Sequence, residues 1–381
     1  MTNPKVALAA TLIAASASPL CFAQPTFEAY GTLVTGLYYT DAQGGKSGKL
    51  GMSGWKETPL DSKVALKGRE DLGNGWYAGF QLESGIALDT GAFGSSGTGF
   101  NAVSRIFVGT ENIEFTAGRM PNFTAATSPY SFYARLRANA TRSQLAGLAP
   151  AGITFNLASI DNLIAFSTPF RKGFFIEGLY SNGAEANEQA YDWEDRDRVV
   201  QLGTGWVGDK VRFGINLSYA TQADDPRYTE KNATKGIHLV GNYNFGGPEV
   251  ALVLYKGFDD WQIGAVPDMG AIVNKAGGTG NYNKSAGGMD TSVAFLSFGY
   301  PYQSHYISFV ASYLNAKWKG KSAGMKHTEG SAWTGGVLYY YYFTKKTQLY
   351  AGGSYSAGDK LLNTVDRFNQ VMLTTGLLHK F

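Results

Sequence analysis

The sequence predicts an all-β membrane protein, an antiparallel up-and-down β-barrel of about sixteen strands. Three observations carry that expectation. Apolar and polar residues alternate with a period of two in segment after segment. The connectors between those segments alternate between long and short. The composition has 49 Gly and 23 Tyr in 381 residues with only 17% charged, which suits neither a disordered chain nor an ordinary soluble domain.

Taken in order, the chain opens on an export signal: Lys5, an apolar run from Val6 to Ser18, and Cys21-Phe22-Ala23 as a small-x-small cleavage site before Gln24. The expected division is therefore a cleaved signal peptide at 1–23 and a barrel domain at 24–381. The one Cys of the chain, Cys21, lies in the signal, so the barrel domain has neither disulfide nor thiolate chemistry. No later stretch reaches the roughly 18 consecutive apolar residues of a membrane helix.

The first strand places Phe27, Ala29, Gly31, Leu33, Leu37 and Tyr39 on one face and Glu28, Tyr30, Thr32 and Tyr38 on the other. The pattern recurs in Phe213, Ile215, Leu217 and Tyr219 against Arg212, Gly214, Asn216 and Ser218, and in Ile237, Leu239, Tyr243 and Phe245 against His238, Asn242 and Asn244. It closes the chain with Val371, Leu373, Leu377 and Phe381 opposite Thr374, Gly376 and Lys380. The second face is too polar for the dry interior of a sandwich, so it is expected to face a water-filled lumen and the first face lipid. Long connectors fall near 41–59, 87–103, 120–158, 181–197, 221–235, 259–289, 317–331 and 358–366. Short ones include 71–75, 111–112, 168–172, 208–210, 246–248, 301–303 and 344–346. Strict long–short alternation is what a membrane meander needs, and closure removes the sheet edges that hydrocarbon would leave unsatisfied. At about sixteen strands the interior is wide enough for an aqueous channel.

Other function classes fit poorly. A net charge of +3 carries no clustered basic stripe for nucleic acid. His238, His305, His327 and His379 have no metal-ligand spacing and stand in no nucleophile motif, so no metal, cofactor or enzyme chemistry is expected. Gly203-Thr204-Gly205-Trp206-Val207-Gly208 matches a dinucleotide fingerprint but runs through a strand into a short turn, with no helix to receive a phosphate.

Motifs spread over the whole length now become informative together: Ala29-Tyr30-Gly31, Leu66 through Gly75, Gly79 through Gly85, Phe107-Val108-Gly109, Ala117-Gly118-Arg119, Asp161-Asn162, Tyr342 through Tyr350, and Gly376 through Phe381. In these the chain resembles the trimeric general porins of the Gram-negative outer membrane, of the betaproteobacterial type. The resemblance implies an outer-membrane homotrimer in contact with lipid and lipopolysaccharide. It implies a terminal Phe381 that the barrel-assembly machinery reads, and a third long loop folded into the lumen as a constriction. It also implies passive passage of ions and small hydrophilic solutes.

Lys63, Lys67 and Arg69 share the lumen parity of their strand, opposite Val64 and Leu66, and match the family's basic ladder. Arg119 matches the Arg that begins the inward loop, although simple alternation would set it beside Phe115 and Ala117 on the lipid face. Arg135, Arg137 and Arg142 follow within the loop, and no Asp or Glu occurs between Glu114 and Asp161, where the family normally carries acids. Ser159 and Ala165 stand where the family often has basic residues. A fixed positive constriction with no opposing carboxylate favours anions, so anion preference is expected. A channel selective for organic anions and a non-conducting structural or adhesin barrel are the alternatives. Tyr130, Phe132 and Tyr133 are candidates for an aromatic-substrate path, although such residues more often pack the loop on the wall, and His238 is expected to line the pore.

Overall fold

The structure is a computed structural model, and it describes residues 25–42, 48–53, 58–94, 99–138, 149–157, 159–184, 197–221, 233–261, 263, 288–319, 324–364 and 366–381. The expected export signal lies outside these residues. Seventeen strands form a single antiparallel sheet: β1 (Thr26–Ala42), β2 (Lys49–Ser53), β3 (Lys63–Gly73), β4 (Trp76–Gly85), β5 (Val103–Gly109), β6 (Glu114–Met120), β7 (Ile160–Ser167), β8 (Gly173–Asn182) and β9 (Arg198–Val207). The remainder are β10 (Val211–Ala220), β11 (Thr234–Asn244), β12 (Glu249–Asp260), β13 (Met289–Tyr302), β14 (His305–Trp318), β15 (Glu329–Tyr342), β16 (Thr347–Gly358) and β17 (Gln370–Lys380). β1 pairs with both β2 and β3, sequence neighbours pair from β3 onward, and β17 returns to β1, from Thr32 opposite Lys380 to Ala42 opposite Gln370. The sheet is thereby a closed barrel.

The second wall strand is interrupted. β2 pairs with Gly36–Thr40 and β3 with Thr26–Thr32 of β1, so the two act as one of sixteen wall strands. At the gap, Val34 has no backbone partner on that side among the described residues. The Ser62 hydroxyl supplies both missing ladder contacts, accepting from the Val34 N–H at 2.8 Å and donating to its carbonyl at 2.9 Å. A buried backbone group left unpaired here would cost about 1–3 kcal/mol, which explains a Ser at this position. The interruption places a strand inside the 41–59 connector that the sequence pattern gave as loop.

Alternation decides which face each side chain takes, as expected. Phe27 and Ile106 are each 67% exposed, and Phe174, Leu202, Phe213, Leu239, Leu296, Phe309 and Leu373 share the outward parity. So large an apolar band is stable only against hydrocarbon. Tyr243 with Phe245 and Tyr341 with Phe343 stack edge-on near the short-turn end, where an aromatic girdle belongs.

The inner face differs from the expectation of a wet interior all round. Over β1 and β3–β6 it carries Tyr30, Lys63, Lys67, Arg69, Gln81, Glu83, Arg105 and Glu114. Over β11–β14 it carries Val240, Val253, Val293, Phe295, Val310 and Leu314, each no more than 5% exposed, in one buried cluster with Phe123, Tyr130, Phe132, Tyr133 and Leu136 of the β6–β7 connector. Apolar inward residues on this arc are covered by loop side chains instead of water.

Closure relies on a facing pair of glycines. Gly36 and Gly376 face each other across the β1–β17 seam. A Cβ on Gly36 would stand 2.1 Å from the Thr375 carbonyl oxygen and 2.5 Å from the Tyr350 hydroxyl. Tyr350 is fully buried and lies across the pair; only residues without a Cβ let the strands and the ring meet there.

Candidate functional site

On the polar arc, lumen parity sets Lys63, Lys67 and Arg69 of β3 in a row, beside Gln81 and Glu83 of β4 and Arg105 of β5. The charges interlock. The Lys63 ammonium donates to Glu83 Oε2 at 2.6 Å, and the Tyr30 hydroxyl donates to Glu83 Oε1 at 2.6 Å. Gln81 Nε2 donates to Glu83 Oε1 at 2.8 Å. Arg105 donates through Nε to Gln81 Oε1 and through Nη1 to Glu114 Oε1, both at 2.9 Å. Glu114 also accepts from Tyr77 at 2.9 Å and from Tyr130 at 2.6 Å. Charge-assisted bonds of this kind are about twice as strong as neutral ones and fix geometry.

Lys67 and Arg69 stand apart from that chain. The Lys67 ammonium sits 5.9 Å from the Phe107 ring centre and the Arg69 guanidinium 3.7 Å from that of Tyr77. Among the described residues neither has a carboxylate within ion-pair distance. A cation held on an aromatic face keeps its charge uncancelled while losing much of its mobility.

The β6–β7 connector (121–159, L3) is seated by side chains that reach inward positions of the opposite wall. Its helix α1 (Phe132–Arg135) begins at Ser131, whose hydroxyl accepts from the Ala134 N–H at 3.1 Å. Phe132 packs on Phe175 of β8, ring centres 6.0 Å apart, and against Gly214 of β10, where an added Cβ would stand 3.0 Å from the Phe132 ring. The Phe123 N–H donates to Gln201 of β9 at 2.9 Å. Tyr133 meets His238 Nδ1 at 2.7 Å, and the His238 ring lies 4.4 Å from Tyr255. Burial lifts the Tyr130 phenol above its ordinary range; Arg105 opposes this and Glu114 adds to it, so Tyr130 remains a donor. The aromatic residues pack the loop on the wall, as expected. His238 is fully buried and seats the loop instead of lining a pore. An imidazole at lumen parity lines water only where nothing covers it, and here α1 does.

The loop cations meet carboxylates that the loop's own sequence lacks. Arg135 is 3% exposed. It donates to the Thr168 carbonyl at 2.7 Å, the Ser167 hydroxyl at 2.8 Å and the Pro169 carbonyl at 3.0 Å, and lies 3.8 Å from Glu177 of β8. Its guanidinium also covers Phe170 at 4.3 Å and Phe175 at 4.6 Å. Burial pulls its proton affinity below the usual range and Glu177 opposes this, yet guanidinium stays charged at any working pH. Arg137 lies 3.5 Å from Glu249 of β12 with its side chain 47% exposed, and its carbonyl accepts from Asn242 at 3.3 Å.

Arg119 lies inside a β-bulge between Gly118 and Met120, where Gly118 has φ +133° and the register with β7 slips. The slip ends the alternation that would have aimed Arg119 at lipid. Its Nε donates to the Asn101 carbonyl at 3.0 Å and Nη1 pairs with Asp161. Arg142 lies outside the described residues.

Sequence reasoning supplied the cations but not their partners. Glu83, Glu114, Glu177 and Glu249 all sit at lumen parity on wall strands, so alternation held the signal. Opposition to L3 needed the fold. Arg105, two residues before Phe107 on one face, was equally readable, as was Arg212, which donates to the Gly208 and Arg135 carbonyls at 3.4 and 3.5 Å.

Comparison with known proteins is consistent with this geometry. Residues 7–361 match the family described as Gram-negative porin. The chain is 23% identical over 403 aligned residues to an outer membrane porin protein of Bordetella pertussis, covering 99% of this chain and 100% of that one. It is 31% identical over 259 residues to outer membrane porin protein 32 of Delftia acidovorans, covering 66% and 69%. Among solved structures it superposes on an anion-selective porin from Comamonas acidovorans with a TM-score of 0.64 at 18% identity, covering 94% of this chain and 100% of that chain.

Proposed function

We propose, for a chain that belongs to the Gram-negative porin family, that its outer-membrane pore passes small hydrophilic solutes and ions down their gradients with a preference for anions. Members of the family are channels and not enzymes. The observation that carries the preference is the uneven cancellation of charge. Arg119, Arg135 and Arg137 face Asp161, Glu177 and Glu249, and Lys63 and Arg105 face Glu83 and Glu114. Lys67 and Arg69 lie on aromatic rings and, among the described residues, have no carboxylate within ion-pair distance.

In this reading L3 narrows the lumen against the polar arc, its arginines latch it to the wall, and Lys67 and Arg69 supply the field that solutes meet. Low-dielectric walls focus that field. The Debye length of about 8 Å at physiological salt is comparable to a narrow pore radius, so screening weakens the bias without removing it. The Comamonas neighbour is an anion-selective porin, which supports the same direction. Removal of residues 1–23 on export, homotrimer assembly, contact with lipopolysaccharide and delivery by the barrel-assembly machinery through Phe381 complete the proposal. Phe381 exchanges backbone hydrogen bonds with Gly31 of β1, at 3.2 and 3.4 Å, which suits a residue read at closure.

Planar bilayers with a KCl gradient test it. The parent is expected to show an anion-side reversal potential, and Lys67→Glu with Arg69→Glu to shift the permeability ratio toward cations by about threefold or more. Arg135→Lys is expected to leave the sign unchanged. Cation selectivity in the parent, or an unmoved ratio in the double variant, overturns the anion preference.

A further inference from the structure

The connector between β16 and β17 (359–369, L8) is built inward. Gly330 of β15 and Gly358 of β16 share the inward parity of Ala332 and Ser356, near the long-loop ends of their strands. A Cβ on Gly330 would stand 2.6 Å from the Asp359 carbonyl oxygen and 2.8 Å from the backbone nitrogens of Leu361 and Leu362. One on Gly358 would stand 3.0 Å from the Leu362 and 3.2 Å from the Phe368 carbonyl oxygen. The L8 backbone thus rests directly on the inner surface of the wall, at positions where a side chain would block it.

Hydrogen bonds hold it there. The Asp359 N–H donates to the Ser331 carbonyl at 2.8 Å and the Leu361 N–H to the Glu329 carbonyl at 3.2 Å. The Ser331 N–H donates to the Asp359 carboxylate at 2.6 Å, the Gly358 N–H to Asn369 Oδ1 at 3.0 Å, and Asn369 Nδ2 to the Leu362 carbonyl at 3.2 Å. Leu361 and Leu362 are fully buried and Phe368 is 2% exposed, in one cluster with inward-facing Leu314, Ala316, Trp318, Ala332 and Met372. A connector lying outside the barrel mouth would show these three large side chains to water. Here they enter the lumen side of the wall.

We infer that L8 is a second size-limiting element: it occupies lumen cross-section over the β14–β17 arc at the long-loop mouth. The open passage is thereby confined to the β1–β6 arc, where the charged side chains stand. This rests on the pore reading above. L3 and L8 then act on different properties. L3 borders the charged wall, whereas L8 is apolar where it packs, so L8 sets how much can pass and leaves the sign of preference to Lys67 and Arg69.

The test uses the full chain in two forms, a deletion of 361–367 and the triple variant Leu361→Ser, Leu362→Ser, Phe368→Ser. The triple variant keeps loop length and stays informative if the deletion does not fold; heat-modifiable gel mobility reports folding. Single-channel conductance is expected to rise about 1.5-fold or more, since current follows the open cross-section. Liposome swelling with a trisaccharide is expected to speed up, and the sign of the reversal potential to stay unchanged. Current in the parent with unaltered conductance in the folded variants overturns this inference and leaves the pore reading standing. An absence of current from the parent overturns both.

Discussion

Arg135→Ala is expected to cost about 3–5 kcal/mol, because it strands a carboxylate inside the protein. Glu177 is fully buried and its nearest cation is Arg135 at 3.8 Å; neither Glu177 oxygen has a hydrogen-bond donor among the described residues. Removing the guanidinium also takes a donor from the Ser167 hydroxyl and from the Thr168 and Pro169 carbonyls. The companion Glu177→Gln removes the charge and keeps those three bonds, so it is expected to cost about 1 kcal/mol or less, and the double variant Arg135→Met with Glu177→Gln to recover most of the loss. The temperature at which folded protein converts to unfolded mobility on a denaturing gel measures all three. A double variant whose loss equals the sum of the two single losses would show that the ion pair contributes no coupling.

Gly36→Val is expected to cost about 3 kcal/mol through overpacking at the seam. Its obstacle is backbone: the Thr375 carbonyl oxygen lies 2.1 Å from the new Cβ position, and a carbonyl in a ladder cannot turn away. The partner substitution Gly376→Val meets the Thr35 carbonyl oxygen at the same 2.1 Å and is expected to match it. Tyr350→Phe removes the hydroxyl that also crowds the site, yet it leaves the carbonyl in place and is expected not to rescue either variant. Refolding yield into detergent measures the effect, and a Gly36→Val protein that folds like the parent would show that the strands can separate locally.

Most of the barrel was legible because period-two alternation is local: Phe213 to Tyr219 and Ile237 to Phe245 name their own faces with no knowledge of a partner strand. The interruption at Lys49–Ser53 was not legible, since nothing in five residues announces that their pairing stops and a hydroxyl nine residues on will replace it. The apolar inner arc had a signal that alternation passes over. Val250-Ala251-Leu252-Val253-Leu254-Tyr255 and Val293-Ala294-Phe295-Leu296 are apolar on both parities, the mark of a strand covered on both faces.

The candidate site divides in the same way. Side chains fixed by parity, such as Lys63, Lys67 and Arg69, follow from the chain alone. Arg119 escaped parity because Gly118 inserts a bulge. The absence of acids from the loop suggested unopposed charge, whereas Glu177 and Glu249 approach from strands about 40 and 110 residues further along the chain, a separation at which only the three-dimensional fold creates neighbours.

The seam between β1 and β17 joins Thr32 to Lys380, almost the greatest separation this polypeptide allows. Loop-closure entropy for so distant a pairing must be met before any of its contacts can form, so assembly is intrinsically slow. Until the final segment is delivered, the growing meander exposes two unsatisfied margins, each a template for a stray neighbour. Folding of this molecule is therefore most vulnerable to aggregation in its last step, and conditions that shield open sheet edges should raise the yield more than those that merely stabilise the finished cylinder.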